Sequence, residues 1–408
     1  MTDVDAVVVG GGLAGLVAAR NLRRAGRRVV LLEARDRLGG RVFARELAAT
    51  GLRVDFGGTW VIPGEHPALF AELDRYGIDT VATPEPTWFA SDLAGAVRRS
   101  GDLDHEVLDD LTEVFDAIRS TGRESDSLGE LARRHGLSPQ GYAWLQAHFR
   151  YLNGAGLDDV SAVALADYPM SDLARPDHYT HEIAGTTDSL VTALRHDVDG
   201  ELRLGTAVRR VTDMGSSVAL DLDDGARVTA RRTVITVPVN TLGAITFEAA
   251  IEAVTALATA GHAGHSTKLW IVARNVPGTL RLLSDTGPFP YVRLVRRLED
   301  GTALLVGFSD RDGAASMAPA AVEHALSGLI PGIRVLGVDA HDWNADPHSR
   351  GTWMAARPGQ EGTLEALRNH PGPLYFAGGD LSSSHPGTIE GAIASGASAA
   401  EHVVADSR

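Results

Sequence analysis

Three glycines near the start of the chain, Gly10, Gly12 and Gly15, stand at the G-x-G-x-x-G spacing that lets a backbone close around a phosphate. Val7, Val8 and Val9 ahead of them read as a buried strand, and Leu16, Ala19 and Leu22 behind them recur at helical spacing. Each glycine has its own task. Gly10 permits the tight turn, Gly12 lets the backbone approach a pyrophosphate, and Gly15 lets helix and strand pack closely. The helix N-terminus, with Leu13 and Ala14 in its first turn, offers N–H groups to the anion. A second strand, Val29 to Leu32, delivers Glu33, whose carboxylate suits ribose hydroxyls. Strand, turn, helix, strand and acid in this order predict a dinucleotide site.

Two more glycine pairs follow, in Arg37-Leu38-Gly39-Gly40-Arg41 and in Asp55-Phe56-Gly57-Gly58-Thr59-Trp60. Each implies a close backbone approach to something flat or charged. Lys268 interrupts the apolar run that begins at Ser266, and strand alternation puts it on one face with Trp270 and Val272. That face is either solvated or turned inward, and the pattern alone favours the solvated reading. No HExxH, GxSxG, P-loop or paired-carboxylate arrangement is present, and the histidines lack metal-ligand spacing, so no metal is expected.

Taken together these segments resemble the flavin-dependent amine oxidase family, the group around monoamine oxidase, polyamine oxidase and L-amino-acid oxidase. The resemblance implies FAD. In that family the segment matching Glu33-Ala34-Arg35 through Gly39-Gly40-Arg41 wraps the FAD ribose and pyrophosphate. The segment matching Gly57, Gly58, Thr59 and Trp60 runs past the isoalloxazine. Val208 matches a strand valine lying against adenine, and Val237, in the turn Thr236-Val237-Pro238, and Trp343 join the implied cofactor set. Gly379 and Asp380 match a pair against the ribityl and pyrophosphate region. A helix starting at Gly387, with Thr388 and Ile389, would aim its N–H groups at the flavin C2 carbonyl and N1.

The resemblance also reverses the reading of Lys268, implying an inward lysine that holds a water against flavin N5. Monoamine oxidases face the flavin with two tyrosines, and the matching positions are Trp353 and Thr388. One aromatic wall is kept and the other becomes a small hydroxyl residue, which favours bulkier, branched or cyclic amines. Lys268, Trp353 and Thr388 are therefore the implied catalytic set. Where monoamine oxidases tether the flavin through cysteine this chain has Thr352, so FAD is expected to be non-covalent. The implied reaction moves a hydride from the α C–H of an amine to flavin N5, after which the imine hydrolyses and oxygen yields peroxide. A related desaturase, like protoporphyrinogen oxidase, and a non-catalytic FAD-binding protein remain alternatives.

The elements that must position these residues form an α/β chain. A Rossmann-like FAD-binding domain is expected over 1–62, 185–242 and 342–408. It is interleaved with an α+β substrate domain over 63–184 and 243–341. The stretch from Pro67 to about Ala184 reads as a helical insertion, with helices at His66–Gly77, Val107–Ile118, Leu128–His135 and Tyr142–Leu152. Its aromatics Trp88, Trp144, Phe149, Tyr151, Tyr168 and Tyr179 are left without a role. Asp223-Asp224-Gly225 reads as a hairpin turn, and the strands around Lys268, Tyr291–Arg297 and Ala303–Phe308 as an antiparallel sheet.

With 408 residues the chain can bury more than one core. A net charge of −15 argues against nucleic acid and anionic membrane surfaces, which call for basic patches. The sequence has no cysteine, which excludes disulfides and thiolate ligands. No apolar run reaches membrane-spanning length and the first strand starts by Val4, so no span or signal peptide is expected and a cytoplasmic location is. The expected partners are a small-molecule amine and O2 or another acceptor, with a homodimer as candidate assembly.

Overall fold

The computed structural model describes residues 4–99, 103–174 and 180–406, so Tyr179 lies outside the described residues. Val4–Val9 pairs in parallel with Val29–Leu32 on one side and with Arg227–Ile235 on the other. Glu201–Arg203 adds in parallel beyond Val29–Leu32, and Leu374–Phe376 pairs with the second half of Arg227–Ile235. The strands around the Asp223-Asp224-Gly225 turn, Val208–Asp213, Val218–Leu222 and Arg227–Ile235, run antiparallel, and Thr246–Phe247 completes an eight-stranded mixed sheet. Its parallel part is covered on both faces, which is why the strands are runs of valine and leucine rather than alternating. Ala6, Val8, Val29 and Leu31 enter the core under the first helix, Leu13–Arg24, and Val7, Val9, Val30 and Leu32 enter another.

The first helix packs along the C-terminal helix Ile389–Ala405. A Cβ on Gly396 would overlap the backbone of Ala14, which explains the small residues of that last helix. Thr246–Phe247, expected in the substrate domain, is the outer strand of the eight-stranded sheet, paired with Val208–Asp213. The helix Glu252–Ala260 follows it onto the same core through Val254 and Leu257. The short turn Val239–Ala244 thus brings the chain back to pair with this sheet beyond residue 242 before it leaves.

A second, seven-stranded sheet runs in the order Arg334–Ala340, Thr267–Arg274, Ala303–Ser309, Tyr291–Arg297, Leu280–Ser284, Trp88–Leu93, Ala96–Arg98. The three strands expected to be antiparallel are so. The sheet as a whole is mixed, because Trp88–Leu93 joins Leu280–Ser284 in parallel. The stretch from Pro67 to Ala184 is accordingly not all helical. Its four helices are present, but Thr80–Ala82, Trp88–Leu93, Ala96–Arg98 and His181–Ile183 are strands. Trp88–Leu93 and Ala96–Arg98 form a local hairpin, but Trp88–Leu93, Thr80–Ala82 and His181–Ile183 also take partners far along the chain, out of reach of any local periodicity. A small sheet of Trp60–Val61, His181–Ile183 and Thr80–Ala82 links the two halves of the molecule.

Candidate active site

A cavity of about 1010 Å3 takes its lining from both large sheets. That volume sits at the upper limit of sites enclosing a small molecule, roughly 300–1,000 Å3. Every cofactor and catalytic residue expected from the sequence lines it except Gly15. Gly15 lies behind the turn, where a Cβ would overlap the carbonyl oxygen of Gly10, so its absence of side chain serves helix–strand packing.

At the Gly12 end the cavity meets a helix N-terminus left open by the protein. Gly12 is the N-cap of Leu13–Arg24 and no side chain caps that helix. A Cβ on Gly12 would find its nearest atom, Gly40 Cα, 3.9 Å away. Two other helices that begin beside the cavity are closed. The Glu390 carboxylate accepts from Ala68 N at 3.0 Å and Leu69 N at 2.7 Å, capping Pro67–Tyr76. Thr388 Oγ1 accepts from Gly391 N at 3.0 Å, capping Ile389–Ala405, so that helix starts two residues later than Gly387. An uncapped N-terminus beside glycines with open space is a cradle for an anion.

Glu33 is buried at the same end, its oxygens accepting from Gly11 N at 2.6 Å and Arg35 N at 2.8 Å. Those bonds fix the carboxylate at the cavity wall. Arg41 Nη2 pairs with Asp380 Oδ1 at 2.6 Å, and Arg41 Nη1 donates to Thr352 O at 2.5 Å. Asp380 is fully buried. Burial raises its proton affinity, but Arg41 and His262 outweigh it, and the carboxyl stays below its ordinary range. At two of the four glycines in the later pairs the chain's own backbone already requires glycine: Gly39 would meet the Val42 carbonyl and Gly57 the Arg41 carbonyl.

The other end is a chamber of rings. Lys268 is 3% exposed, which overturns the solvated reading of its strand. Its Nζ donates to Gly57 O at 3.1 Å and bonds Thr59 Oγ1, and it sits 4.4 Å from the Trp60 ring centroid. Burial, the largest influence, pushes the ammonium down to about 7, and the Asp55 carboxylate works against that shift. Asp55 in turn is pushed up by burial. Trp353 donates its indole N–H to Leu152 O and meets Phe308 edge-on at 5.9 Å. Gly387 lies so near that a Cβ on it would fall 3.1 Å from Trp353 Cβ, which brings the loops of Trp353 and Thr388 together. Thr388 Oγ1 also donates to His385 O at 2.7 Å, so its hydroxyl is engaged by the cap.

Tyr151 and Phe308 went unassigned in the sequence. Tyr151 stacks on Tyr291 at 4.1 Å and meets Phe308 edge-on at 5.1 Å, while Phe308 also meets Trp60 at 5.8 Å. Tyr151, Asn153, Tyr168 and Phe308 all line the cavity. Phe308 stands directly opposite Lys268 in the pairing of Thr267–Arg274 with Ala303–Ser309, but two further strands separate these in the chain, so no local pattern set the two side by side. For Tyr151 and Tyr168 no local pattern marks them.

An open phosphate cradle that continues into an aromatic chamber with one buried amine defines a dinucleotide-dependent oxidoreductase. The family model described as flavin containing amine oxidoreductase matches residues 13–404. The chain is 34% identical to the (S)-6-hydroxynicotine oxidase of Paenarthrobacter nicotinovorans, over 95% of this chain and 96% of that protein. It is 31% identical to a pseudooxynicotine dehydrogenase of Pseudomonas sp, over 97% and 85% of the two chains. The solved structure of cyclohexylamine oxidase from Brevibacterium oxydans shares the fold, with a TM-score of 0.85, 22% identity and 99% of each chain covered. The chain belongs to the flavin-containing amine oxidase family: it is an FAD-dependent oxidoreductase that oxidises amines. Among the described residues no helix is long and apolar enough to cross a membrane.

Proposed function

We propose that the chain oxidises a bulky secondary or cyclic amine, with O2 as acceptor and FAD held without a covalent bond. The observation that carries this reading is the asymmetry of the chamber. Trp353, Phe308 and Tyr151 form one continuous wall of rings, while Thr388, the lining residue that the family resemblance sets opposite a ring, is small. A slim primary amine would leave the Thr388 side unfilled; a ring or branched group would use it. By its name, the hydroxynicotine oxidase relative acts on a ring-bearing amine.

Bound FAD would supply the hydride acceptor. The open helix N-terminus at Gly12 and the Arg41–Asp380 pair are the groups placed to hold its phosphates and ribityl chain, with Glu33 for the ribose. The ring wall would orient the neutral amine and exclude water, and Lys268 would hold a proton at Nζ beside the reacting centre. The two electrons leave the amine with its α-hydrogen, the imine is hydrolysed to a carbonyl compound, and O2 ends as H2O2. Thr352 is buried, its Oγ1 accepting from Ser266 N at 3.2 Å, and offers no thiol for a tether. We assign residues 1–62, 185–261 and 342–408 to the cofactor domain and the rest to the substrate domain, in a cytoplasmic protein; the membership of the two sheets supports the division.

Anaerobic bleaching of the flavin absorbance across a panel of amines tests the function. Cyclic and secondary amines should bleach it faster than benzylamine-like primary amines, and the reverse order overturns the substrate reading. Acid precipitation should leave the yellow colour in the supernatant; a yellow pellet would mean a covalent link.

A further inference from the structure

Lysine and arginine together number 38 in this chain, and Lys268 is the only lysine among them. The distinction is chemical. A guanidinium keeps its charge at any pH a folded protein meets, whereas an ammonium in apolar surroundings can give up its proton. Of these 38 side chains, the one whose proton can come off is the one that lines the chamber.

Its surroundings are built. The Trp60 ring carries Lys268 Nζ at 4.4 Å and Arg293 Cζ at 4.5 Å from its centroid. The Trp60 indole N–H donates to Glu182 Oε1 at 2.8 Å, and the same oxygen accepts from Arg293 Nη2 at 3.4 Å. Trp60 and Glu182 are also strand partners, so the backbone fixes this contact. Glu182 therefore ties the indole and the second cation to one point. On the other side Trp270, 5.1 Å from Nζ, donates its indole N–H to Asp55 O at 3.0 Å. The Asp55 carboxylate is held by Thr187 N at 3.1 Å and Thr187 Oγ1 at 2.5 Å.

Three charged groups thus face Lys268, each from a different strand: Asp55 from Arg53–Asp55, Glu182 from His181–Ile183 and Arg293 from Tyr291–Arg297. Asp188, at the start of the helix Asp188–Asp197, bears on the cluster by acting on Asp55. Two cations and two carboxylates make the inner cluster neutral when all are charged. Each carboxylate favours the ammonium, and Arg293 and burial oppose it.

We propose that Glu182 and Arg293 are positioning residues for Lys268: through Trp60 they fix its amine at the chamber wall and, with Asp55, decide whether it holds a proton. The charge beside the reacting centre is then set by groups that touch neither substrate nor cofactor. This rests on the placement of Lys268 at the reacting centre.

The single lysine makes a clean test available. The FAD-loaded full-length chain labelled only in lysine gives one side-chain amine signal, whose midpoint can be followed by NMR across pH. Glu182→Gln removes a favourable carboxylate and should lower the midpoint by roughly one pH unit, as a nearby charge does. Arg293→Gln removes an opposing cation and should raise it. The double variant should return toward the parent value, which a merely structural role would not produce. The pH profile of flavin reoxidation should move in the same directions. If both single variants bind FAD and leave the midpoint unmoved, the proposal is overturned. Should Glu182→Gln fail to fold, the Arg293→Gln shift alone decides. Failure of amine turnover would leave the titration intact, so the two readings fail separately.

Discussion

At the Gly12 end of the cavity the protein presents backbone: an uncapped helix, glycines and a carboxylate locked by two backbone N–H groups. At the Lys268 end it presents side chains, with the rings of Tyr151, Trp353 and Trp60 each meeting Phe308 within 6 Å. Backbone donors recognise a phosphate whatever is attached to it. Rings and one titratable amine select by shape and charge. The first end can stay constant while the second is rebuilt for a new amine, because few residues belong to both.

The sharpest way to break this contrast is at the glycines. Gly12→Val should fold, since no protein atom lies within 3.9 Å of its Cβ, yet its side chain would fill the cradle. FAD affinity should fall about 100-fold or more, near 2.7 kcal/mol, with the circular dichroism spectrum unchanged. Gly15→Val should instead lose the fold, because its clash is with the Gly10 carbonyl. If both variants behave alike, the division between ligand-facing and packing glycines is wrong.

Trp353→Ala works at the other end. FAD should be retained while the rate of anaerobic reduction by amine drops about 100-fold, again near 2.7 kcal/mol of barrier. Loss of flavin along with activity would show that the ring wall also holds the cofactor.

A smaller effect separates the two half-reactions. Lys268→Met should slow reoxidation by O2 about tenfold, or 1.4 kcal/mol, and leave reduction by amine unchanged. In the parent enzyme the ammonium is present below about pH 7 and is lost above it, so reoxidation should slow as pH rises through 7. Stopped-flow traces at a series of pH values check both statements, and a rate that rises with pH inverts the assigned role.

Thr388 gives the smallest change. Thr388→Tyr should shift preference toward slim primary amines and, by losing the hydroxyl that accepts from Gly391 N, cost about 1 kcal/mol of stability. Thr388→Ser keeps the cap and should match the parent in thermal melting. An unchanged preference in Thr388→Tyr would remove the residue from the substrate chamber.

The same contrast governs what could be read before the structure. The cradle was legible because its parts are contiguous: strand, glycines, helix and Glu33 all fall within 33 residues, and glycine spacing is a direct record of backbone need. The helices at 67–153 were legible through their apolar period. The chamber was not, because its walls come from Tyr151, Phe308 and Trp353, on a helix, a strand and a loop, and a ring in any of them looks like core. The strand pattern around Lys268 pointed outward, since periodicity cannot see the Gly57 carbonyl, indoles and carboxylate that enclose the amine. The place of Trp88–Leu93 in the large sheet was missed for a related reason, its partner Leu280–Ser284 there being 192 residues away.

A lone lysine enclosed in the strand Thr267–Arg274 has a further consequence for handling the protein. A protease that cuts only after lysine has a single target in the chain, and strand pairing on both sides, to Ala303–Ser309 and Arg334–Ala340, withholds it from any active-site groove. Cleavage into 1–268 and 269–408 then requires that the seven-stranded sheet come apart. The yield of those two fragments in a brief digestion reads out the population in which that sheet is open, with no label or probe added.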